Sequence, residues 1–412
     1  MPSFFIPLSG LQANSDALSV TANNLANLNT IGYKAQRPLF EDLFYQQVGT
    51  SGDGNPEQIG VGASVQAIDS QFTQGSIQST GVPTDVAIQG SGYFVLDNNG
   101  EQLYTRAGDF SISSDGHLLS KDGASVLGYP AVNGVVNPNA TVGPLQIATG
   151  QTNPPNPTAN VQLAMNLDSD TAVGGTFSTS VAVYDSLGGS HILTYNFTKT
   201  AANNWTYSIT IPAADVGAAG NPVTINTGTL TFNGAGQLTA PAGNVTGVTA
   251  AALADGANDL TFDWNLYDAN GAGVVSQVSG PSAVSTTSQD GYSSGTLVSY
   301  IISSDGTIQG TFSNGQTSAL GQIALASFQN DQGLVRNGSN EFLASLASGQ
   351  ANIGAPGTGG RGTLSGGALE QSNVDIATQF AQLILQERGY QANAKAVTTF
   401  DEVTQTAINL KQ

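Results

Sequence analysis

Hydrophobic residues near the C-terminus follow a spacing of three and four, which is typical of one apolar face of a helix. Polar Gln, Asn, Lys and Arg residues lie at several of the positions between them. Ser372, with Asp375 three residues later, resembles a capping box and predicts where this helix begins. A helix of about 35 to 40 residues would be roughly 55 to 60 Å long, too long to bury easily in one compact domain. The apolar positions are Ile376, Phe380, Leu383, Tyr390, Ala394, Val397 and Ile408.

A second apolar stripe lies at the N-terminus. Leu11, Leu18 and Leu25 recur at sevens, and Ala22 lies four residues after Leu18. The stripe stops where residues that end helices follow, namely Asn27, Asn29 and Gly32. We expect residues 1–32 and 368–412 to form one helical domain in which the two ends pair as a coiled coil. Both stripes contain polar residues, so the pair would be weak alone, and we expect other subunits to complete it.

The interior of the chain shows short strand-like runs separated by Gly, Asn and Asp turns. The fold class expected is mainly β with long helical termini. Residues 71–148 and 286–346 are expected to form one discontinuous β-domain, and 149–285 an inserted, outer, small antiparallel sandwich or barrel. Residues 33–70 and 347–367 are expected to be connectors, the second being a Gly-rich hinge.

Composition excludes several classes of protein. The net charge is −19, only 9% of residues are charged, and no basic patch is available to neutralise phosphates, so neither nucleic acid nor an anionic membrane is an expected partner. Cysteine is absent, which excludes disulfides and thiolate metal sites. No run approaches the roughly 18 apolar residues of a membrane span, so we expect no membrane insertion. The first cation is Lys34, so we expect no cleavable secretory signal, which would need a basic N-terminal region.

Candidate catalytic chemistry is sparse. The two histidines, His117 and His191, lie far apart in strand and turn contexts, so surface or hairpin positions are expected. The acidic turns at 97–100 and 268–271 faintly resemble calcium loops but lack the closing Glu. We therefore expect no enzyme activity, no cofactor and no metal. Two other classes stay open, a secreted β-rich adhesin or pilin and an extracellular carbohydrate-active enzyme.

Longer sequence motifs indicate a particular protein family. The segment from Ser9 to Leu43, with ANNLANLNTIGYK at 22–34, resembles the N-terminal signature of the flagellar rod, hook and hook-associated proteins. The segment from Gly367 to Gln412 resembles their C-terminal signature, and Gln74 to Tyr129 resembles their shared β-domain. Within this family, VAVYDSLGGSHILTYNFTKTAANNWTYSI at 181–209 resembles the outer domain of the hook proteins.

This resemblance implies a mechanical function. Copies would stack head to tail into a curved tube that acts as a universal joint and transmits motor torque from rod to filament. The implied partners are the chain itself, the hook cap, distal rod and hook–filament junction proteins, the flagellar type III export apparatus and the hook-length-control protein. The subunit-packing residues would be Leu11, Leu18, Ala22, Leu25, Ile376, Phe380, Leu383, Tyr390, Ala394, Val397 and Ile408.

The resemblance also implies an extracellular location, reached by export without a cleaved signal peptide. Phe40 and Phe44 resemble the element that such substrates present to the export gate, or they could simply pack beneath the helix. A distal-rod-type protein is the alternative within the family, because residues 46–57 look longer than the connector of the shortest hook proteins. In the monomer we expect the helical ends to be largely disordered.

Overall fold

The structure, a computed structural model, describes residues 4–148 and 150–409. The chain divides into two compact units. The first consists of Met1–Thr149, Ser299–Gly310 and Thr317–Gln412, and the second of Gly150–Val298 and Thr311–Gln316. The second unit is longer than the predicted insertion, because a strand that crosses the predicted boundary at 285 pairs inside it.

Two long helices lie at the ends of the described chain, α1 (Phe5–Ala26) and α2 (Ile376–Asn409). Short 3-10 helices cover Ala213–Val216 and Asp331–Gly333. The carboxylate of Asp375 accepts a hydrogen bond of 2.7 Å from the backbone N–H of Thr378. Asp375 is therefore the N-cap of α2, three residues later than the capping-box reading placed it, because a carboxylate satisfies a first-turn N–H well.

The first unit contributes the N-terminal strands. Residues 33–70, expected to be a connector, instead form two successive antiparallel hairpin layers, β1 with β4 and β2 with β3. We call residues 36–70 the arm. The strands are β1 (Gln36–Asp42), β2 (Tyr45–Thr50), β3 (Pro56–Gly60), β4 (Ala63–Ser70), β5 (Ile77–Ser79), β6 (Val86–Gln89), β7 (Tyr93–Asn98), β8 (Glu101–Thr105), β9 (Ser111–Ile112), β10 (Leu118–Leu119), β11 (Ser125–Val132), β12 (Val135–Val136) and β13 (Gly143–Pro144).

The second unit is a sandwich of two five-stranded sheets, and no barrel closes. Its strands are β14 (Thr152–Asn153), β15 (Asn160–Asn166), β16 (Thr176–Tyr184), β17 (Ser190–Ala201), β18 (Asn204–Ile211), β19 (Val223–Phe232), β20 (Leu238–Ala240), β21 (Val245–Ala250), β22 (Leu260–Asn265), β23 (Val275–Ser276) and β24 (Ala283–Gln289). One sheet has the order β16-β17-β18-β19-β20. In the other, β15 pairs in parallel with β22 and antiparallel with β24, so the expectation of a wholly antiparallel sandwich is wrong. Parallel pairing is possible because a long crossover separates β15 from β22.

Alternating apolar residues of both sheets fill the core of the sandwich. Trp264 on β22 is fully buried, and its ring centroid lies 5.1 Å from that of Tyr195 and 5.0 Å from that of Tyr207. Both aromatic contacts are edge-on, the preferred arrangement for such pairs. These aromatic rings lie within the core of this unit.

The remaining strands belong mainly to the first unit, although residues 295–298 and 311–312 at the ends of two of them belong to the second. They are β25 (Gly295–Ile302), β26 (Thr307–Phe312), β27 (Thr317–Ile323), β28 (Leu325–Ser327), β29 (Val335–Gly338), β30 (Glu341–Leu343), β31 (Asn352–Gly354), β32 (Thr363–Gly366) and β33 (Ala368–Glu370). The main sheet has the order β25-β26-β27-β11-β7-β8-β30-β29. Residues 347–367, expected to be a hinge, contain β31 and β32, and β32 pairs with β6 while β33 pairs with β5. The segments next to both helices are thus held by strand pairing.

Candidate functional site: the paired termini and their anchor

The two terminal helices pack against each other within the first unit, as predicted. Asn24, near the end of α1, donates a hydrogen bond of 3.0 Å to Gln379, near the start of α2. At the opposite ends, the rings of Phe4 and Phe400 lie 5.9 Å apart. The helices therefore run antiparallel.

Small and polar residues form the line of contact between the helices. A Cβ on Gly10 would lie 2.9 Å from the amide of Asn393, and one on Gly389 would lie 2.6 Å from Oδ1 of Asn14. Each glycine thus lets an Asn side chain approach the opposite helix closely. The Asn and Gln spacing on α2 was the sequence signal for this contact, and an argument from apolar spacing alone missed it. The residues that α1 buries are Pro7, Ala13, Ala17, Val20, Thr21 and Asn24.

The predicted subunit-packing residues are either half-buried or exposed, and none of them is fully buried. Half-buried positions are Leu11, Leu18, Leu25, Leu383, Ala394 and Val397, and exposed positions are Ala22, Ile376, Phe380, Tyr390 and Ile408. Within the described part of α2, only Gln379 is buried. Other apolar side chains on the helices are exposed as well, including Leu8, Ile384, Leu385 and Val403. We call the exposed apolar residues of α1 and α2 the assembly face, and its contact with other copies stays a prediction.

A buried charge cluster ties the start of α2 to the end of α1. The carboxylate of Glu370 is fully buried, and its Oε1 accepts hydrogen bonds from Lys34 Nζ at 2.6 Å and from the Gly75 N–H at 2.8 Å. Its Oε2 accepts from Arg106 at 3.2 Å. Burial lowers the pKa of the Lys34 amine, and the Glu370 charge opposes that shift. We call Lys34, Arg106 and Glu370 the anchor.

Further contacts surround the anchor. Nη2 of Arg336 donates to the backbone carbonyl of Lys34 at 2.7 Å, and its guanidinium lies 5.3 Å from the ring centroid of Tyr33. Oδ1 of Asn373 accepts from the N–H of Ala35 at 2.7 Å. The segment that follows α1 is thus held by side chains from distant parts of the chain. No local sequence pattern predicted these contacts.

The two candidate export residues lie in the arm. Phe40 is on β1 and Phe44 lies between β1 and β2. The Phe44 side chain is 89% exposed, so it does not pack beneath a helix. Phe40 is also exposed. Both rings are accessible in the folded chain.

The second unit contains a separate cluster around His191. This side chain is only 6% exposed, its Nε2 lies 2.8 Å from Asp185 and its Nδ1 lies 3.0 Å from Asp215. Burial lowers the pKa of His191, but the hydrogen bonds to Asp215 and Asp185 outweigh it, and the net pKa is raised. Oxygens of Asp185 and Asp255 and a ring nitrogen lie within 4.8 Å of one another. Because both ring nitrogens already face carboxylates, the geometry fits an imidazolium better than a metal ligand.

Comparison with known proteins shows which protein families this chain resembles. Four family models match the chain: Flagella basal body rod protein at 7–34, Flagellar hook protein FlgE/F/G D1 domain at 87–166, Flagellar basal body protein FlaE D2 domain at 148–292 and Flagellar basal body rod FlgEFG protein C-terminal at 365–410. Paired helical ends that flank β-domains, together with these matches, define the class of flagellar rod and hook proteins.

The curated relatives identify a narrower family within this class of rod and hook proteins. The chain is 35% identical to the flagellar hook protein FlgE of Treponema pallidum over 462 residues, with 100% of both chains covered. It is also 35% identical to FlgE of Salmonella typhimurium, with 99% of this chain and 100% of the relative covered. The chain belongs to the flagellar hook protein family. A crystal structure of Helicobacter pylori FlgE2 shares the fold, with a TM-score of 0.52 and 16% identity over 71% of this chain and 99% of that one.

Neither helix in the described chain is long and apolar enough to cross a membrane.

Proposed function

We propose that the chain is the structural subunit of the bacterial flagellar hook and polymerises into a curved tube that transmits motor torque from rod to filament. The observation that carries this proposal is the assembly face. The helix α2 has 34 residues, yet within the described chain it buries only Gln379. Apolar side chains left exposed along so long a helix favour burial against other copies, since removing them from water is stabilising.

An assembly face on the terminal helices suggests how copies would contact one another. Head-to-tail stacking joins two unlike surfaces at every step, which produces an open helical polymer when the rotation between copies does not close a ring. The terminal helices would form the inner layer around an export channel. The β-domains would then form the outer layers.

The anchor supplies a mechanical connection in this proposal. Torque applied to inner helices reaches the β-domain only if the two are joined stiffly. Glu370 is held by two cations and a backbone N–H, and Arg336 adds a further contact to the Lys34 carbonyl. Such a cluster resists rotation of the helices relative to the β-domain, because each displacement would leave a buried charge unpaired.

The second unit suits an outer, sliding layer. The only basic residue in its sequence range up to Val298 that is not histidine is Lys199, and this side chain is buried. Strong ion pairs between the second units of neighbouring copies would oppose bending of the tube. Contacts between uncharged polar side chains can instead break and re-form as the tube rotates. This supports the universal-joint function.

We further propose an extracellular location in the hook, with export through the flagellar type III apparatus and without a cleaved signal peptide. The exposure of Phe40 and Phe44 supports a role in recognition at the export gate. The proposed partners are the distal rod, the hook cap, the hook–filament junction proteins and the hook-length-control protein. No enzyme activity is proposed, since the curated relatives are named as hook proteins.

A distal-rod function is the second candidate, because the arm is long and its ordered hairpins could brace neighbouring copies. Electron microscopy of purified, polymerised protein tests both functions. We expect curved tubes with a central channel. Straight, rigid rods would favour the rod function, and a monomer that never polymerises under any salt or precipitant condition would contradict both.

A further inference from the structure

A polar cleft of about 490 Å³ opens in the first unit beside the end of α1. Three carboxylates line it, those of Asp109, Asp122 and Glu341, together with the cations Lys121 and Arg336 and the amide of Asn340. Asp122 lies on the turn between β10 and β11, and Glu341 begins β30. The cleft therefore collects acidic groups from separate parts of the chain.

Glu341 has no partner in this cleft. Its residue is 7% exposed, yet within residues 4–148 and 150–409 its carboxylate accepts no hydrogen bond and joins no ion pair. Burial raises the pKa of Glu341, and the charge of Asp122 adds to the shift. Burial also raises the pKa of Asp109. The carboxylate oxygens of Glu341 are accessible from the cleft rather than sealed in the interior, and a cationic partner there would offset the cost of burial.

Asn340, which also lines the cleft, holds a second unpartnered acceptor. Oδ1 of Asn340 is buried and accepts no hydrogen bond, while its Nδ2 donates to the carbonyl of Ile31 at 2.7 Å. That bond fixes the orientation of the amide and leaves the oxygen as an acceptor. The lining carries three carboxylates against two cations, Lys121 and Arg336, so its net charge favours a donor that carries positive charge.

We propose that this acidic cleft binds the guanidinium group of an arginine from a neighbouring copy of the chain, an inference that rests on the proposed polymerisation. A guanidinium has five N–H donors in a plane and cannot lose its proton, which suits several separated acceptors. A small metal ion fits less well. In the described chain, these carboxylates do not reach the 4.8 Å spacing that the Asp185, His191 and Asp255 group meets.

Charge complementarity indicates which arginines could supply the guanidinium group. The chain carries a net charge of −19, so each stacked copy repels the next unless cations are placed at the contacts. Arg106 and Arg336 are occupied inside the chain, and the side chain of Arg361 donates to backbone carbonyls. The remaining arginines, Arg37 on the arm and Arg388 on α2, are exposed and contact no carboxylate within the described residues.

Charge reversal in the homopolymer tests the proposal. Asp122 is exposed, so Asp122→Arg leaves the monomer folded and puts a cation beside the incoming guanidinium. We expect the critical concentration for polymerisation to rise about tenfold or more, since loss of one favourable charge contact is worth at least this factor. Glu101→Arg, an exposed acidic position outside the cleft lining, is the matched control and should change it less than about twofold.

Reciprocal reversal then identifies the donor. In the Asp122→Arg background, either Arg388→Asp or Arg37→Asp should restore polymerisation, and the variant that restores it names the arginine. If wild-type chains polymerise but Asp122→Arg and Glu341→Gln both polymerise at the wild-type concentration, the inference is wrong while the proposed function stands. Absence of wild-type polymer would instead contradict the proposed function.

A measurement on the monomer is independent of polymerisation. Titration of the full chain with guanidinium chloride well below denaturing concentrations, followed by NMR, should shift the side-chain amide of Asn340 and the carboxyl of Glu341. Sodium chloride at equal ionic strength is the control. If calcium shifts these signals at lower concentration than guanidinium does, the site binds an inorganic cation, and the inference is overturned.

Discussion

Lys34 and Glu370 lie 336 positions apart in the sequence, yet Lys34 Nζ is 2.6 Å from Glu370 Oε1 and both side chains are buried. This ion pair joins the segment that follows α1 to the segment that precedes α2. Arg106 adds a second cation to the same carboxylate. The stability of the connection between helices and β-domain therefore depends on one buried acidic residue.

Glu370→Gln tests that dependence. The substitution leaves Lys34 and Arg106 buried beside a neutral amide, and breaking such a pair costs about 3 to 5 kcal/mol. Urea unfolding followed by far-UV circular dichroism measures the loss. The two tryptophans, Trp205 and Trp264, both lie in the second unit, so their fluorescence should report an unchanged transition. The exposed change Glu101→Gln should cost less than about 0.5 kcal/mol, and an equal loss in both variants would contradict the role of the anchor.

The His191 cluster predicts how the stability of the second unit depends on pH. The folded-state pKa of His191 is raised above the unfolded value of about 6.5. Its contribution is then fully present below the unfolded pKa and is lost as pH rises through the folded pKa. Tryptophan fluorescence during urea unfolding should show a free energy of unfolding that falls as pH increases across this window. His191→Gln should remove that part of the slope, and an identical slope in both proteins would refute the prediction.

Removal of residues 376–412 tests the assembly face. The truncated chain should keep both β-units folded, because the described part of α2 buries only Gln379. It should form no tubes in electron micrographs. Leu385→Asp is a milder version, since this side chain is 71% exposed. It should leave monomer unfolding unchanged and prevent polymerisation, whereas normal tubes from either variant would remove α2 from the assembly mechanism.

Polymerisation should increase helix content. In the monomer, few contacts stabilise α2 beyond its cap and the polar line against α1, and most of the stability of helices in proteins comes from tertiary packing of an apolar face. Circular dichroism should show mainly β signal in the monomer and a gain near 222 nm in the polymer. The truncated chain is the control, since it lacks α2. Identical spectra for monomer and polymer would show that both termini are already helical alone.

Phe44→Ser tests the proposed export element. The ring is almost fully exposed, so the monomer should unfold at the wild-type urea concentration. Secretion into the medium by cells that lack the native copy should fall at least several-fold, as judged by immunoblotting of supernatant and cell pellet. Tyr45→Ser, an exposed aromatic change one residue away, is the matched control. Equal secretion of both variants would remove Phe44 from the recognition step.

Local features of this fold were predictable from the sequence. The helix boundary near Asp375, the end of α1 before Asn27 and the turns at Gly116 and Gly306 all follow from residues within a few positions of each other. Caps, turns and apolar periodicity act over one or two helical turns or one hairpin. The short strand-like runs separated by turns likewise predicted the β-rich interior of the chain.

Contacts between distant segments were decided only by the tertiary structure. Lys34 and Glu370, Thr21 and Gln386, and the carboxylates around Glu341 meet because strands and helices from far parts of the chain pack together. The strands at 352–366 replaced an expected connector because distant strands satisfy their backbone groups, whereas the strands of the arm pair with one another. Periodicity shows which face of an element is apolar, whereas its partner, and whether a buried charge is compensated, depend on distances that only folding sets.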